Sequence, residues 1–415
     1  MRLRTARLLA IALVFLAPAA AAARILPPGP EASFGRAEID LSGSAQVAVA
    51  YERTLPGPNL IRVAIRNAGR LDTPTVGRRI GRGALRLVRL GTLPGDRHVV
   101  VWRRRGETVV SVFLGTKWVT ERLPAVVRGL EVLDAAVLNR RPLLVLGGGS
   151  DATVVERRAG KWRAHPMPTT AGPRSALVAA VTEPSGKAVV AWTRGTAAGA
   201  QSIEASTFAL STGRWTAPQT AVAAGAVTAP VVGELVVDAR GNGALSAVTD
   251  PGFAGPSSTP VVAILRHAAA AWALLPPLPA SPPQLAFADQ GVPVRAWLEG
   301  DEVRFSRLAA DGLAWESSET ALKRPSDDFG SLYAVDDLAV DEDGRVVIAV
   351  AVDPGPGPDE HSFLVRDTSG PPFVASRAFA STYGSPRLVV GGSSVAASWV
   401  EDASSSGLPE AALAP

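Results

Sequence analysis

The chain of 415 residues contains no cysteine. It therefore forms no disulfide bond, no thiolate metal site and no cysteine nucleophile, and its stability must come from a large buried core. Aromatic residues make up only 6% of the chain, but 47% of it is hydrophobic, which excludes an intrinsically disordered protein. Beyond the N-terminus no apolar run reaches about 18 residues, so a polytopic membrane protein is excluded as well.

Local catalytic and metal-binding signatures are also missing. No two of the four histidines lie within 50 residues of each other, so there is no H-E-x-x-H motif: His98, His165, His267 and His361. No G-x-S-x-G sequence occurs. Residues 341–344 have the composition of a calcium loop without its spacing, and residues 147–149 precede no helix, so both segments predict hairpin turns. We expect neither a metal nor a cofactor.

The N-terminus has the layout of a secretory signal peptide. Basic residues precede an apolar segment from Leu8 to Leu16, and Pro18 and an alanine stretch follow before Arg24. An uncleaved anchor is the alternative, but the apolar run is short for a membrane span and contains proline. The sequence thus predicts a signal peptide over residues 1–23, a disordered Pro-rich lead-in over 24–33, and a secreted mature chain without a transmembrane segment.

Short apolar strands recur along the rest of the chain. Examples are RHVVVWRRRG, which contains Trp102, and KAVVAWTRGT, which contains Trp192. Each is preceded by another apolar strand and a tight polar turn, and each is followed by a third alternating strand such as ETVVSVFL or DEVRFSRL. The nine tryptophans fall at two repeat positions, where we expect them to pack between repeats. Four lie at the end of the second strand and five follow the third: Trp102, Trp192, Trp297 and Trp399, then Trp118, Trp162, Trp215, Trp272 and Trp315.

Repeats of about 50 residues with three to four short strands each predict an all-β fold. We expect a single β-propeller over residues 34–415, with seven to eight blades of three to four antiparallel strands. A β-sandwich is the rival architecture, but it does not predict eight similar units. Strands from both termini are expected to complete one sheet, which would remove exposed edges.

The repeat "D-x-x-G, strand ending in A-W, third strand, G-x-W" resembles secreted actinobacterial β-propellers of the sialidase-like, BNR-like superfamily. The resemblance covers most of residues 34–415 and implies a fold, not an activity. Sialidase repeats carry an Asp-box, S-x-D-x-G-x-T-W, and this chain has none: its corresponding turns are AGKW and TGRW. The resemblance implies a catalytic Arg triad, a Tyr with a Glu partner and an Asp acid, which cannot be assigned residue by residue in this sequence. Tyr51 and Glu52 are adjacent, but Tyr51 stands at a packing position of the repeat.

Charge is distributed unevenly. Residues 1–200 contain 30 basic and 13 acidic side chains, whereas residues 201–415 contain 12 basic and 25 acidic ones. Between residues 78 and 105 the only acid is Asp96. Such a basic sector attracts anions, and arginine favours bidentate contacts with phosphate and carboxylate. The predicted binding residues are Arg78, Arg79, Arg82, Arg86, Arg89, Arg103, Arg104 and Arg105.

These features predict an exported, non-catalytic binding or scaffold module. The expected partner is an anionic cell-envelope polymer or an acidic protein, not nucleic acid, and we expect a monomer or weak self-association. Solubilising surface charge without a partner would also explain the arginines. The alternative function is a glycan-active, sialidase-like hydrolase with two carboxylates at a central channel. Its candidate acids are Asp289, Glu299, Asp301, Glu302, Asp336 and Asp337.

Overall fold

The computed structural model describes most of the repeat region and two short N-terminal segments. The described residues are 11–15, 23–25, 34–41, 47–53, 60–67, 70–72, 75–78, 85–93, 97–104, 107–114, 117–138, 141–148, 151–168, 174–182, 186–195, 201–250, 259–266, 269, 271–277, 281–288, 291–323, 331–353, 360–366, 373–375, 379–380, 386–391 and 394–398. They form 35 β-strands and one 3-10 turn, Ala125–Val127, which confirms the all-β class. No helix in these ranges has the length and apolar character needed to cross a membrane.

The described strands form eight antiparallel sheets. The first two strands, β1 (Ile11–Phe15) and β2 (Ala23–Ile25), belong to sheet 8. Sheet 1 contains β3 (Phe34–Leu41), β4 (Val47–Arg53), β5 (Leu60–Asn67), β6 (Arg70–Asp72) and β7 (Thr75–Arg78). Sheet 2 contains β8 (Leu85–Leu93), β9 (Arg97–Arg104), β10 (Glu107–Leu114) and β11 (Trp118–Arg122). Sheet 3 contains β12 (Glu131–Leu138), β13 (Arg141–Gly148), β14 (Asp151–Arg158) and β15 (Lys161–Pro166).

The remaining strands continue the same pattern. Sheet 4 contains β16 (Arg174–Thr182), β17 (Lys187–Gly195), β18 (Gln201–Ala209), β19 (Arg214–Trp215) and β20 (Gln219–Val222). Sheet 5 contains β21 (Pro230–Val237), β22 (Gly243–Thr249), β23 (Val261–Leu265) and β24 (Ala273–Leu274). Sheet 6 contains β25 (Gln284–Ala288), β26 (Val292–Glu299), β27 (Glu302–Arg307) and β28 (Glu319–Lys323). Sheet 7 contains β29 (Ser331–Val340), β30 (Val346–Asp353), β31 (Glu360–Arg366), β32 (Val374–Ala375) and β33 (Phe379–Ala380), and sheet 8 adds β34 (Arg387–Gly391) and β35 (Ser394–Ser398).

Sheets 1 to 7 are meanders in which strands pair in chain order. The predicted second and third strands appear where the sequence pattern placed them: RHVVVWRR is β9 and ETVVSVFL is β10. Repeated antiparallel meanders of about four strands are the building unit of a β-propeller.

The chain divides into two compact units. One contains residues 123–300 and 304–319, and the other contains residues 1–122, 301–303 and 320–415. In the first of these units sheet 4 is buried on both faces, because alternate residues of a strand point to opposite sides. Val190 packs in a cluster with Leu143 of sheet 3, and Val189 packs in another with Leu245 of sheet 5.

The other unit has cores of the same kind. Trp102 of sheet 2 packs with Ala48 and Ile61 of sheet 1. Phe363 of sheet 7 packs with Val395 of sheet 8. Fully burying such side chains stabilises a fold by about 1.5–3 kcal/mol each, which is how these sheets hold together without disulfides.

The tryptophans differ in burial according to their repeat position. Those at the end of the second strand are buried: Trp102, Trp192 and Trp297. Those after the third strand are half-buried: Trp118, Trp162, Trp215, Trp272 and Trp315. Trp399 lies outside the described residues. The indole N–H of Trp215 donates to the backbone oxygen of His165 in sheet 3 at 3.0 Å, so this position links neighbouring sheets.

The D-x-x-G segments are hairpin turns. Asp238 Oδ1 accepts hydrogen bonds from the backbone N–H groups of Arg240 and Asn242, and Asp341 Oδ1 accepts from those of Asp343 and Arg345. The glycines, Gly241 and Gly344, have φ of +85° and +79°, a conformation that favours glycine. The turn interpretation of residues 341–344 is confirmed.

Carboxylates on the first strands link consecutive sheets. Asp134 of β12 accepts through Oδ2 a hydrogen bond from the backbone N–H of Val181 in β16, at 2.9 Å. Glu234 of β21 accepts in the same way from Leu285 of β25. Both acids follow an irregularity in strand register, which re-aims the side chain. The sequence pattern did not predict these links.

Strands near both chain ends meet in sheet 8, because β1 pairs with β35 through Val14 opposite Ala397 and Phe15 opposite Ala396. β1 lies within the predicted apolar core of the signal peptide. The two roles exclude each other in one mature chain, since cleavage before Arg24 would remove β1 and expose the edge of β35.

Candidate functional site

The predicted arginines are spread over two sheets. Arg78 ends β7 of sheet 1, Arg86 and Arg89 lie in β8, and Arg103 and Arg104 end β9. The other three lie outside the described residues: Arg79, Arg82 and Arg105.

Sheet 2 brings part of this set together at one end. The register places Arg86 opposite Arg103, whereas Arg104 lies opposite Leu85 on one side and Glu107 on the other. Arg89 lies further along the sheet, opposite Val101. Successive strand residues alternate between faces, so Arg103 and Arg104 point to opposite sides. We call the end of sheet 2 that carries Arg86, Arg103 and Arg104 the basic edge.

Sheet 4 repeats this arrangement. Arg174, the first residue of β16, lies opposite Arg194 near the end of β17, as Arg86 lies opposite Arg103. Like charges directly opposite each other destabilise a sheet. In sheet 4 the repulsion is offset by Glu204 of β18, whose Oε1 lies 2.5 Å from Arg194 Nη1.

The sheet 4 residues form a compact polar group. Arg174 Nη2 donates to the backbone oxygen of Pro168 at 2.8 Å, and its guanidinium lies over the Trp192 ring, 5.0 Å from the centroid. Burial lowers the pKa of Arg174, and the charges of Asp151 and Glu204 oppose that shift. We call Arg174, Trp192, Arg194 and Glu204 the sheet-4 cluster.

Two buried polar atoms of the sheet-4 cluster lack a hydrogen-bond partner among the described residues. They are Glu204 Oε2 and Trp192 Nε1. Glu204 and Trp192 lie directly opposite each other in the β17–β18 pair, so they point to the same face. The register thus places an unused acceptor and an unused donor on neighbouring side chains.

A second arginine is enclosed by aromatic rings. The guanidinium carbon of Arg295 lies 4.3 Å from the ring centroid of Trp297 and 4.4 Å from that of Trp315. Within the described part of the chain, its Nε and Nη1 have no hydrogen-bond partner. Burial lowers the pKa of Arg295 to about 10, against a smaller opposing influence of Glu299.

Four of the six candidate acids of the hydrolase alternative are engaged in structural contacts. Glu299 pairs with Arg304 at 3.1 Å, and Glu302 pairs with Lys323 at 2.9 Å. Asp336 Oδ2 lies 2.8 Å from His361 Nδ1, with both side chains buried. Asp337 is bound to backbone N–H groups of Leu338 and Leu388, Asp301 is exposed, and Asp289 lies outside the described residues.

The histidines are dispersed, as the sequence indicated. His165 Nε2 lies 3.2 Å from Glu156 Oε1, His98 is fully buried, and His267 lies outside the described residues. In the described ranges no group of three or more His, Asp or Glu side chains is arranged to hold a metal ion.

The sheet-4 cluster was missed because its residues are far apart in sequence. One signal was present: Glu204 shares its strand face with Phe208, which packs with Leu143 of sheet 3. An acid at an apolar-facing position of a third strand requires a partner. The partner could not be read from the sequence, since it depends on the strand register.

The comparisons with known proteins concern the fold. No protein-family model matches the chain, and neither does any curated protein sequence. Among solved structures, the dihydro-heme d1 dehydrogenase NirN is similar with a TM-score of 0.52 and 10% identity, over 91% of this chain and 74% of that one. The β-propeller domain of the Trilobed protease from Pyrococcus furiosus has a TM-score of 0.44 and 10% identity, over 82% and 99%. Polysaccharide lyase Uly1 has a TM-score of 0.46 and 10% identity, over 86% and 88%.

The repeated antiparallel meanders of the described strands confirm the β-propeller class for this chain. At such low identity the likenesses to solved structures concern the fold alone, and fold does not carry function.

Proposed function

We propose that this chain is an exported β-propeller that binds an anionic cell-envelope polymer or an acidic protein through the basic edge of sheet 2. The observation that carries the proposal is the position of Arg86 opposite Arg103 at the end of the sheet, where Arg104 follows Arg103 on the other face of the same strand. Arginines at paired strand positions are placed to contact one anion together.

The same chemistry favours a polymer over a small anion. Arg78 ends the last strand of the preceding sheet, and the sequence between β7 and β8 adds Arg79 and Arg82. Several arginines close together in the sequence would allow contacts with repeated phosphates or carboxylates, and each contact would add affinity that salt weakens.

A non-catalytic role is supported by what the candidate acids do. Four of the six acids of the hydrolase alternative hold ion pairs or hydrogen bonds within the sheets: Glu299, Glu302, Asp336 and Asp337. A glycosidase needs two carboxylates free to reach a substrate. Export is supported by the signal-peptide sequence, and the repeat motif supports a place among secreted sialidase-like propellers.

The test is retention of the purified chain on immobilised anionic envelope polymer at low salt. We expect the double variant Arg103→Glu/Arg104→Glu to lose retention by about tenfold or more, since two attractive charges become repulsive. The control is Arg128→Glu/Arg163→Glu, which changes the net charge equally at two exposed positions. Equal loss in both variants, or retention unaffected by salt, would overturn the proposal.

A further inference from the structure

One edge of sheets 3 to 6 carries a row of turns. In an antiparallel meander, the turn between the first two strands and the turn between the third and fourth strands lie at the same edge, because the chain reverses direction at each turn. We call the following part of this edge, all of it within one compact unit, the turn edge: residues 158–161, 210–214, 238–242 and 308–314.

The turns of consecutive sheets approach one another closely. A Cβ built on Gly241 in the sheet 5 turn would lie 2.7 Å from Lys187 Cδ of sheet 4. A Cβ on Gly312 in the sheet 6 turn would lie 2.8 Å from Arg266 Nη2 of sheet 5, and the sheet 4 turn approaches His165 of sheet 3 in the same way, at 3.5 Å. The turn edge is therefore one continuous surface and not a set of separate loops.

Positive charge predominates at the turn edge. Its two acids, Asp238 and Asp311, accept hydrogen bonds from backbone N–H groups of their own turns. Its basic side chains are all exposed: Arg158, Lys161, Arg214 and Arg240. An excess of exposed cations along one surface attracts an anionic partner.

The turn of sheet 6 adds an apolar tip to this cationic surface. Leu313 is 71% exposed, the most of any large apolar side chain that the structure describes. It follows Gly312, which approaches Arg266, and the backbone N–H of the exposed Ala269 donates to the Arg266 oxygen at 2.9 Å. A dissolved polyanion has no use for an exposed leucine, whereas a bilayer offers both charged headgroups and an apolar interior.

We propose that the turn edge docks on the surface of an anionic lipid bilayer. Its four exposed cations contact the phosphate headgroups, and Leu313 inserts at the boundary between the headgroups and the acyl chains. This site shares no residue with the basic edge. The basic edge lies where the second strand of sheet 2 ends, whereas the turn edge lies at the ends where second strands begin.

The experiment is co-sedimentation of the purified chain with lipid vesicles at low salt. One set of vesicles contains phosphatidylcholine alone, and the other contains equal parts of phosphatidylcholine and phosphatidylglycerol. We expect affinity for the mixed vesicles to be about tenfold higher or more, and we expect added salt to reduce that difference.

The charge contribution is tested by Arg158→Gln/Lys161→Gln. Removing two cations from the surface should lower affinity for the mixed vesicles about tenfold or more. The matched control is Arg122→Gln/Arg128→Gln, which removes the same charge at two exposed positions that precede β12. An equal loss in both variants would overturn the assignment to the turn edge.

The apolar contribution is tested by Leu313→Ser. It should lower affinity about tenfold and leave the salt dependence unchanged, because an apolar contact is lost and no charge is altered. The matched control is Val126→Ser, at a valine of the 3-10 turn that is 65% exposed. Unchanged affinity in Leu313→Ser would indicate a site for a dissolved polyanion and would overturn the proposal.

Equal binding to both kinds of vesicle, or binding to neither, would also overturn it. The Arg103→Glu/Arg104→Glu variant should bind mixed vesicles as the wild type does. Conversely, Arg158→Gln/Lys161→Gln should keep its retention on anionic envelope polymer. Failure at the basic edge and failure at the turn edge are therefore distinguishable.

Discussion

Asp337 of β29 accepts through Oδ2 a hydrogen bond from the backbone N–H of Leu388 in β34, 51 residues later, at 2.8 Å. Its Oδ1 accepts from the N–H of the next residue, Leu338, at 2.9 Å. Asp134 makes the same pair of contacts with Ala135 and Val181 in sheets 3 and 4. One carboxylate thus fixes the register of a strand irregularity and joins two consecutive sheets.

Asp337→Ala should lower the free energy of unfolding by about 1–3 kcal/mol, because two backbone donors lose their acceptor in a half-buried site. Urea denaturation followed by far-UV circular dichroism measures the change. Asp337→Asn, which keeps one acceptor oxygen, should recover part of the loss. Asp301→Ala, at an exposed position, is the control. A loss of the same size at both positions would show that the Asp337 contacts contribute nothing specific.

A substitution in the turn between β14 and β15 should stabilise the folded chain. Arg158 pairs with Lys161 across it, and the two central residues, Ala159 and Gly160, have φ of 49° and 77°. Because positive φ strains alanine, Ala159→Asn should raise stability by about 0.5–1 kcal/mol. Thermal unfolding tests this.

Gly160→Ala, in the same turn, should lower stability, whereas Ala159→Asn should raise it. Nothing lies within 4 Å of a Cβ built on Gly160, so conformation alone decides its effect. We expect a loss of about 1 kcal/mol. A gain in Gly160→Ala would contradict the assigned turn.

Arg295 makes stability depend on pH. Burial lowers its pKa to about 10 in the folded chain. Between about pH 10 and the ordinary pKa of arginine, the unfolded chain binds more protons, so this residue's contribution to stability rises with pH. Arg295→Met should be close to or above the wild type in stability at neutral pH, because a desolvated cation is replaced by an apolar side chain.

The measurement for Arg295 is the difference in unfolding midpoint between wild type and Arg295→Met at pH 8 and near pH 11. The wild type should gain relative to the variant at the higher pH. Arg163→Met, at an exposed position, should show no such trend. A difference that does not vary with pH would contradict the buried-cation interpretation.

Ser111 supports the tryptophan of sheet 2. Its Oγ accepts from Trp102 Nε1 at 3.0 Å and lies 3.0 Å from Thr120 Oγ1. Ser111→Ala should cost about 1–2 kcal/mol, since the buried indole donor loses its acceptor. Combining it with Trp102→Phe in a double-mutant cycle isolates the bond, and additive losses would show that the two residues do not interact. Ser175→Ala, at an exposed position, controls for the loss of a hydroxyl.

Much of the fold could be predicted because its signals are local. Alternation in β9 and β10, the D-x-x-G turns and the spacing of Trp102 and Trp192 each depend on residues that are close in sequence. These properties specify strands, hairpins and repeats before any packing is considered.

The local patterns did not predict the contacts of individual polar residues. Glu299 and Asp336 were candidate acids for catalysis in the sequence, but each has an ion-pair partner within its own sheet. Arg103 and Arg104 looked like one contiguous patch, but the strand register points them to opposite faces.

By itself, the sequence determined that this chain consists of repeated units of three to four antiparallel strands with tryptophans at fixed positions. Only the tertiary structure decided that Asp337 accepts a hydrogen bond from the backbone N–H of Leu388 and that Glu204 lies opposite Trp192 in the strand pair. The physical reason is distance along the chain: a turn or an alternating strand is stabilised by near neighbours. The partner of a buried charge is chosen by strand register and by the packing of one sheet on the next.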